Sequence, residues 1–371
     1  MELSPEDDLR LGVLLANEVQ AIRIDESSKT LYALTASGEV NVRLHPSGRP
    51  DAYLKQVREL LSGQVLGSPG GYPIFLRRWT RMGDITASNL EGLLLLGEPE
   101  AVVAVVRSPN LTEELARRAW WAMPDAQNAR RMLAKPEIST SSIARELAEF
   151  LVEFLPFEED PADAIESIRL VLQPNLIDEK TRQRLWKMGA RKNALRVGFM
   201  AGQPDTLPRQ SSPNRFHAEL EPHIAPLVGQ EPLANVMLRV LDAPGQAFVE
   251  TARDVLTKPA TQEVVWKLLE TLGEYFRPAG SSNECVRDLD KMLAYSQATV
   301  GNCAGEKLTE IINTRPEAGN IAHACLTLGQ CSGELVTDIF SRSSAVGSVM
   351  RKQIAHITGP LIAQLDQLRE H

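Results

Sequence analysis

The sequence predicts a mainly α-helical protein: an irregular HEAT-like array of helical hairpins behind a small N-terminal α+β unit built on a β-meander. Three observations carry this. Short alternating apolar–polar runs are confined to the first 80 residues. From about residue 84 the apolar spacing becomes that of helices. A unit of helix, proline turn and helix then recurs along the chain.

The alternating runs are Val19-Gln20-Ala21-Ile22-Arg23-Ile24, Leu31-Tyr32-Ala33-Leu34 and Val40-Asn41-Val42-Arg43-Leu44. Asp25-Glu26-Ser27-Ser28 and Ala36-Ser37-Gly38-Glu39 lie between them, so the runs read as a three-stranded meander. One helix is expected near 6–17, and another at 50–61, entered through Pro50 and ended at Gly63. Residues 66–73 read as a loop, and Ile74-Phe75-Leu76 as a short fourth strand.

The repeat is marked by Pro109, Pro136, Pro174 and Pro259. Each follows an amphipathic stretch and precedes polar residues able to cap a second helix, as in Pro109-Asn110-Leu111-Thr112. Proline cannot continue the first helix and forces the residue before it into extended backbone. The uneven spacing of these prolines suggests a decayed array. Ala201–Arg215, with three prolines and no apolar face, reads as a linker or mobile loop, and 277–283 as a shorter one. The expected organisation is an α+β unit at 1–83, hairpin repeats at 84–200, a linker at 201–215 and a helical half at 216–371. In the last of these, Ala355–Leu368 is an amphipathic stretch interrupted by Gly359-Pro360.

Composition bounds the function. The chain has 371 residues, which as a soft prior is two or three domains, with 43% hydrophobic and 24% charged residues. That is enough to bury a core without disulfide or metal staples. No apolar run approaches the roughly 18 residues that span a bilayer. The N-terminus is acidic where a secretory signal is basic, and four cysteines fit a reducing compartment. A cytoplasmic protein with no membrane partner is expected. The net charge of -8 argues against general nucleic-acid binding by the surface as a whole.

Catalytic signals are weak. Gly67-Ser68-Pro69-Gly70-Gly71 lacks the lysine of a phosphate loop and carries proline where donors are needed. Cys285, Cys303, Cys325 and Cys331 contain no close pair of the zinc type, so no metal and no cofactor are expected. Cys325 reads as a small buried residue at a helix contact. Cys331, beside Ser332-Gly333, is the candidate reactive thiol. The six histidines are scattered, and no hydrolase motif is present. Trp120, Trp121, Trp186 and Trp266 recur on second helices of the repeat, which predicts core or inter-repeat packing.

Basic residues are the stronger signal. Seven cations fall between Lys180 and Arg196: Lys180, Arg182, Arg184, Lys187, Arg191, Lys192 and Arg196. Arg117, Arg118, Arg130 and Arg131 precede them, and Arg77-Arg78-Trp79-Thr80-Arg81 stands before the array. On a helical array such residues could merge into a stripe that holds an acidic protein or an RNA backbone, or form only a solvated face.

Tyr72-Pro73-Ile74-Phe75-Leu76-Arg77-Arg78-Trp79-Thr80-Arg81-Met82-Gly83 is distinctive. So are Leu93-Leu94-Leu95-Leu96-Gly97-Glu98-Pro99-Glu100-Ala101-Val102-Val103 and Arg117-Arg118-Ala119-Trp120-Trp121-Ala122. Over about 67–200 these segments resemble the sulfur-reduction protein DsrS family, associated with dissimilatory sulfite reductase. The resemblance implies an accessory protein of sulfur oxidation that regulates or scaffolds and does not catalyse, with a partner in that machinery or its regulators. It implies no catalytic residues. Two alternatives stand beside it: an RNA-binding post-transcriptional regulator using the basic helical face, and a thiol-dependent sulfur carrier using a C-terminal cysteine.

Overall fold

The computed structural model describes residues 3–46, 48–67, 87–278, 288–299 and 305–369. The expected fourth strand at 74–76, the basic cluster Arg77–Arg81, most of the glycine-rich loop, Cys285, Cys303 and most of 277–283 lie outside the described residues. The chain is mainly α, about 67% helical, with a small three-stranded antiparallel sheet. Among the described residues no helix is long and apolar enough to cross a membrane. Two compact units are present, Met1–Phe154 and Leu155–His371.

The first unit runs α1 (Pro5–Leu15), β1 (Val19–Asp25), β2 (Thr30–Thr35), β3 (Gly38–Arg43), α2 (Pro50–Leu66), α3 (Ala87–Leu93), α4 (Pro99–Arg107), α5 (Glu113–Ala122), α6 (Ala126–Leu133), α7 (Pro136–Ser139) and α8 (Ala144–Phe154). The meander is ordered β1-β2-β3, with Ile22 opposite Ala33 and Leu31 opposite Val42. The residues of its apolar face, Ile22, Leu31 and Ala33, join Leu11 of α1 and Tyr53, Leu54, Val57 and Leu61 of α2 in one buried cluster. That stripe carries α2 through Gly63, where the sequence places its end. One internal glycine costs only about 1 kcal/mol. The helix stops instead at Gly67, whose φ of +60° is the left-handed cap that glycine adopts freely.

The expected boundary at 83/84 is not where the units divide. The Ile22 N–H donates to the Leu94 carbonyl at 2.8 Å. Gly97 is packed so closely that a Cβ there would sit 3.0 Å from the Ile24 side chain. On the other face Arg23 lies between the Tyr32 and Trp121 rings, 4.9 Å from each, and Glu39 accepts from both Arg23 and Trp121 at 3.0 Å. Helices of its own unit thus pack on both faces of the sheet at β1 and β2, while β3 stays largely exposed.

The second unit opens with a 3-10 turn at Leu155–Phe157. It continues through α9 (Pro161–Val171), α10 (Glu179–Met188), α11 (Asn193–Gly202), α12 (His217–Ile224), α13 (Pro232–Leu241), α14 (Ala243–Thr257), α15 (Gln262–Phe276), α16 (Leu289–Thr299), α17 (Glu306–Thr314), α18 (Pro316–Leu328), α19 (Glu334–Phe340) and α20 (Gly347–Leu368). α9 packs on α11, α11 on α15 and α13 on α14, while α20 folds back onto α14 and α18. The α9–α11 crossing is close: a Cβ at Gly198 would lie 2.6 Å from the Ile168 Cβ. α20 passes unbroken through Gly359-Pro360, because Ile357, Leu361 and Leu365 are buried on either side.

Residues 201–215 lie inside this unit and are not a boundary. Polar side chains fasten them. Arg239 holds the Asp205 carboxylate through two bonds of 2.7 and 2.6 Å. Arg209 pairs with Glu250 at 2.8 Å and Asp254 at 2.7 Å. The Asn214 amide donates to the Leu368 carbonyl at 2.8 Å. Lack of an apolar face therefore marks a segment held by hydrogen bonds and ion pairs.

The capping logic of the repeat is realised. Thr112, Asp178 and Thr261 accept from the amides of Leu115, Thr181 and Val264. The prolines do something further: Pro5, Pro50, Pro99, Pro136, Pro161, Pro232 and Pro316 each begin a helix. A first-turn N–H has no intrahelical partner, so its absence there costs nothing. Pro136 accordingly starts a short helix of its own, where the sequence suggests a turn.

Candidate docking groove

α10 is the element that gathers the basic residues. Asp178 caps it and Leu185 and Trp186 turn inward, buried. The Trp186 ring meets Phe199 edge-on at 5.1 Å. Arg196 covers the other side of Trp186, its guanidinium 3.5 Å from the ring centroid. Burial, and next the nearby Arg209 charge, push the Arg196 guanidinium down to about 10. Arg196 is therefore a packing residue. Arg182 turns back to Glu179, to Gln203 at 3.2 Å and to the Thr206 carbonyl.

Inward placement of Leu185 and Trp186 leaves the opposite face to cations. Lys180, Arg184 and Lys187 are spaced four and three apart, and Arg191 follows four later, just past the helix end. That spacing puts them along one side over about 16 Å. All four are exposed, and among the described residues none has an ion-pair partner. They rim a groove of about 1120 Å³, with Leu155, Pro156 and Met188 as its apolar lining. Lys192 lines it too and donates its ammonium to the Glu158 carbonyl. No lining residue is aromatic.

The other expected cations behave differently. Arg117 is held by Glu113 at 3.0 Å and by the Ser142 hydroxyl at 2.7 Å. Arg118 is held by Glu114 at 2.9 Å and Glu91 at 3.6 Å. Arg130 is buried, and both it and Arg131 have partners. Arg117 and Arg118 are thus neutralised by carboxylates of the first unit. Of the eleven basic residues singled out at 117–131 and 180–196, five line the groove: Lys180, Arg184, Lys187, Arg191 and Lys192.

Cys331 does not sit in the surroundings of a reactive thiol. It is fully buried, and burial raises its thiol to about 12, only partly opposed by Arg277. Cys325 is equally buried and is pushed up by the same cause. A nucleophilic thiol needs the reverse, exposure and a lowered value. Among the described residues no group of three or more His, Cys, Asp or Glu side chains is placed to hold a metal ion.

One feature of the second unit was missed from the sequence. Trp120 and Trp186 are core residues as expected, and Trp121 is the half-buried partner of Arg23. Trp266 is not core: it is 42% exposed. It lines an apolar cleft of about 310 Å³ with Ile165 and Phe340. The signal lay in the α15 pattern, where Val265, Leu268, Leu269 and Leu272 form the buried stripe and Trp266 falls beside it, among Glu263, Lys267 and Glu270. No protein-family model, no curated protein and no solved structure matches this chain.

Proposed function

We propose that this protein is a non-enzymatic docking protein whose cation-rimmed groove receives an acidic segment of a partner protein. One observation carries the reading. Lys180, Arg184, Lys187 and Arg191 stand in a row with no ion-pair partner among the described residues, in a chain of net charge -8 where other described arginines such as Arg117, Arg118 and Arg239 hold carboxylates; Asp178, which also lines the groove, caps the helix. Like charges at these spacings weaken a helix slightly, so the row is not there for stability. The apolar lining favours a polypeptide with carboxylates and aliphatic side chains. Single-stranded RNA is typically held on aromatic stacking platforms, and no residue of the groove lining is aromatic. The resemblance to the DsrS family supplies the setting of the proposal, a partner in sulfite-reductase-dependent sulfur oxidation.

The test is fluorescence anisotropy with a labelled glutamate- and leucine-containing peptide, and in parallel a single-stranded RNA oligonucleotide. The peptide should bind, should weaken as salt rises, and should lose about tenfold in affinity when Arg184, Lys187 and Arg191 are all changed to Glu. RNA binding that is lost in that variant, with no peptide binding, would replace this reading by the RNA one.

A further inference from the structure

The Trp266 cleft lies close to the groove along the chain. Pro156 lines the groove and Ala162 lines the cleft. Six peptide steps separate them, so their Cα atoms are at most about 22 Å apart. On the joining segment stands Phe157, 73% exposed. Beyond Phe157 the segment carries Glu158, Glu159 and Asp160, so a partner that spans groove and cleft keeps its carboxylates in the groove and crosses this stretch with uncharged residues.

The cleft is built in advance. Gly333 packs directly on the indole: a Cβ there would fall 2.1 Å from the Trp266 Nε1, so no other residue fits without moving the ring. The Gly333 N–H is fixed by the Glu270 carboxylate at 2.7 Å. The Gln262 amide ties α15 to the turn after α19, donating to the Ser343 and Ala345 carbonyls at 2.7 and 2.9 Å. A seated, half-exposed tryptophan beside a pocket near the lower end of ligand-site volumes is the form of an interface hot spot. Preorganisation reduces the ordering cost of binding there.

We infer that groove and cleft take one bipartite segment. Its acidic run lies along Lys180, Arg184, Lys187 and Arg191, and one large aliphatic side chain of the same segment, within about six residues of that run, enters the cleft against Trp266. Charge complementarity selects the segment and the cleft fixes its register. This inference rests on the acidic-partner reading of the groove.

The experiment uses the full chain and synthetic peptides in which a glutamate run is followed, or preceded, by a single leucine about six residues away. The control peptides carry serine in place of that leucine. The leucine peptide should bind about tenfold tighter than its serine control. It should also change tryptophan emission in the native protein and not in Trp266→Phe. Phe340→Ala should weaken the leucine peptide to the level of the serine one and leave the serine peptide unchanged. Equal affinity of leucine and serine peptides overturns the inference while the groove reading stands, and needs no variant to fold. If neither peptide binds, the groove reading itself fails. Self-association that buries Trp266 without any peptide would assign the cleft to a second copy of the chain and overturn the inference.

Discussion

The Tyr53 hydroxyl donates to the buried carboxylate of Asp7, joining α1 to α2 across the edge of the meander. Burial alone would raise the Asp7 carboxyl. Hydrogen bonds from Tyr53, from the His45 amide at 2.8 Å and from the His45 ring overcome that, and Asp7 ends below the usual carboxylate range. Tyr53 moves the other way: its own burial first, then its bond to Asp7, raise its hydroxyl.

The signs set a window. A depressed Asp7 adds stability that is present above the unfolded value near pH 4 and is lost as pH falls through the folded one. A raised Tyr53 adds stability present below about pH 10 and lost as pH climbs through its folded value. Tyr53→Phe removes one donor from a buried carboxylate and should cost about 1–3 kcal/mol near neutral pH. The acid-unfolding midpoint should move to higher pH. Chemical denaturation across an acid series checks both. An unchanged acid limb would show that Asp7 draws its support from His45 alone.

Arg239 joins three segments of the second unit. It binds Asp205 through two bonds, and its guanidinium lies 3.8 Å from the Tyr275 ring centroid. The Tyr275 hydroxyl donates to the same Asp205 at 3.1 Å, and burial, the largest cause, raises that hydroxyl. A planar fork that also stacks is not replaced by an ammonium. Arg239→Lys should therefore lose much of what Arg239→Ala loses, about 1–3 kcal/mol, and limited proteolysis should become faster at 201–215. Full rescue by lysine would show that only the charge matters.

Local rules made most of the elements legible. The period-two runs gave the meander within a residue or two, and Thr112 capped its helix as its position after Pro109 implied. Long-range terms decided the rest. Gly63 was an end signal that the buried stripe of α2 outweighed. The 201–215 stretch looked free because its partners, Arg239, Glu250 and Leu368, come from distant parts of the chain. The basic cluster showed the same limit. The sequence lists these cations, but which ones are neutralised depends on where Glu91, Glu113 and Glu114 sit, and that Arg196 packs inward depends on Trp186. Only the spacing of 180, 184, 187 and 191 was available in advance, and it falls on the row left unpaired.

Arg184 has Lys180 and Lys187 as its neighbours one turn away on either side. Arg184→Glu replaces two repulsive spacings by two attractive ones, each of about 0.2–0.5 kcal/mol. The variant should be as stable as the parent or up to about 2 kcal/mol more stable, while binding of the acidic peptide falls. Thermal melts beside anisotropy give both quantities. A stability loss above about 1 kcal/mol would mean that Arg184 holds the fold, and the row would lose its functional meaning.

Cys331 is closed in by the packing of its own backbone. Its carbonyl packs so tightly on α15 that a Cβ at Gly273 would lie 2.0 Å from it, and its thiol is sealed from solvent and raised to about 12. At neutral pH the thiolate population is negligible, and no path leads a reagent to the sulfur without local opening. Iodoacetamide, or a persulfide donor, should leave Cys331 and Cys325 unmodified in the native protein and label both after denaturation, as read by peptide mass mapping. Rapid native labelling of Cys331 would show that the α15–α18 contact opens readily, and would return a sulfur-carrying thiol to consideration. Gly273→Ala supplies the positive control. By forcing that backbone contact apart it should make Cys331 reactive at a denaturant concentration where the parent protein still protects it.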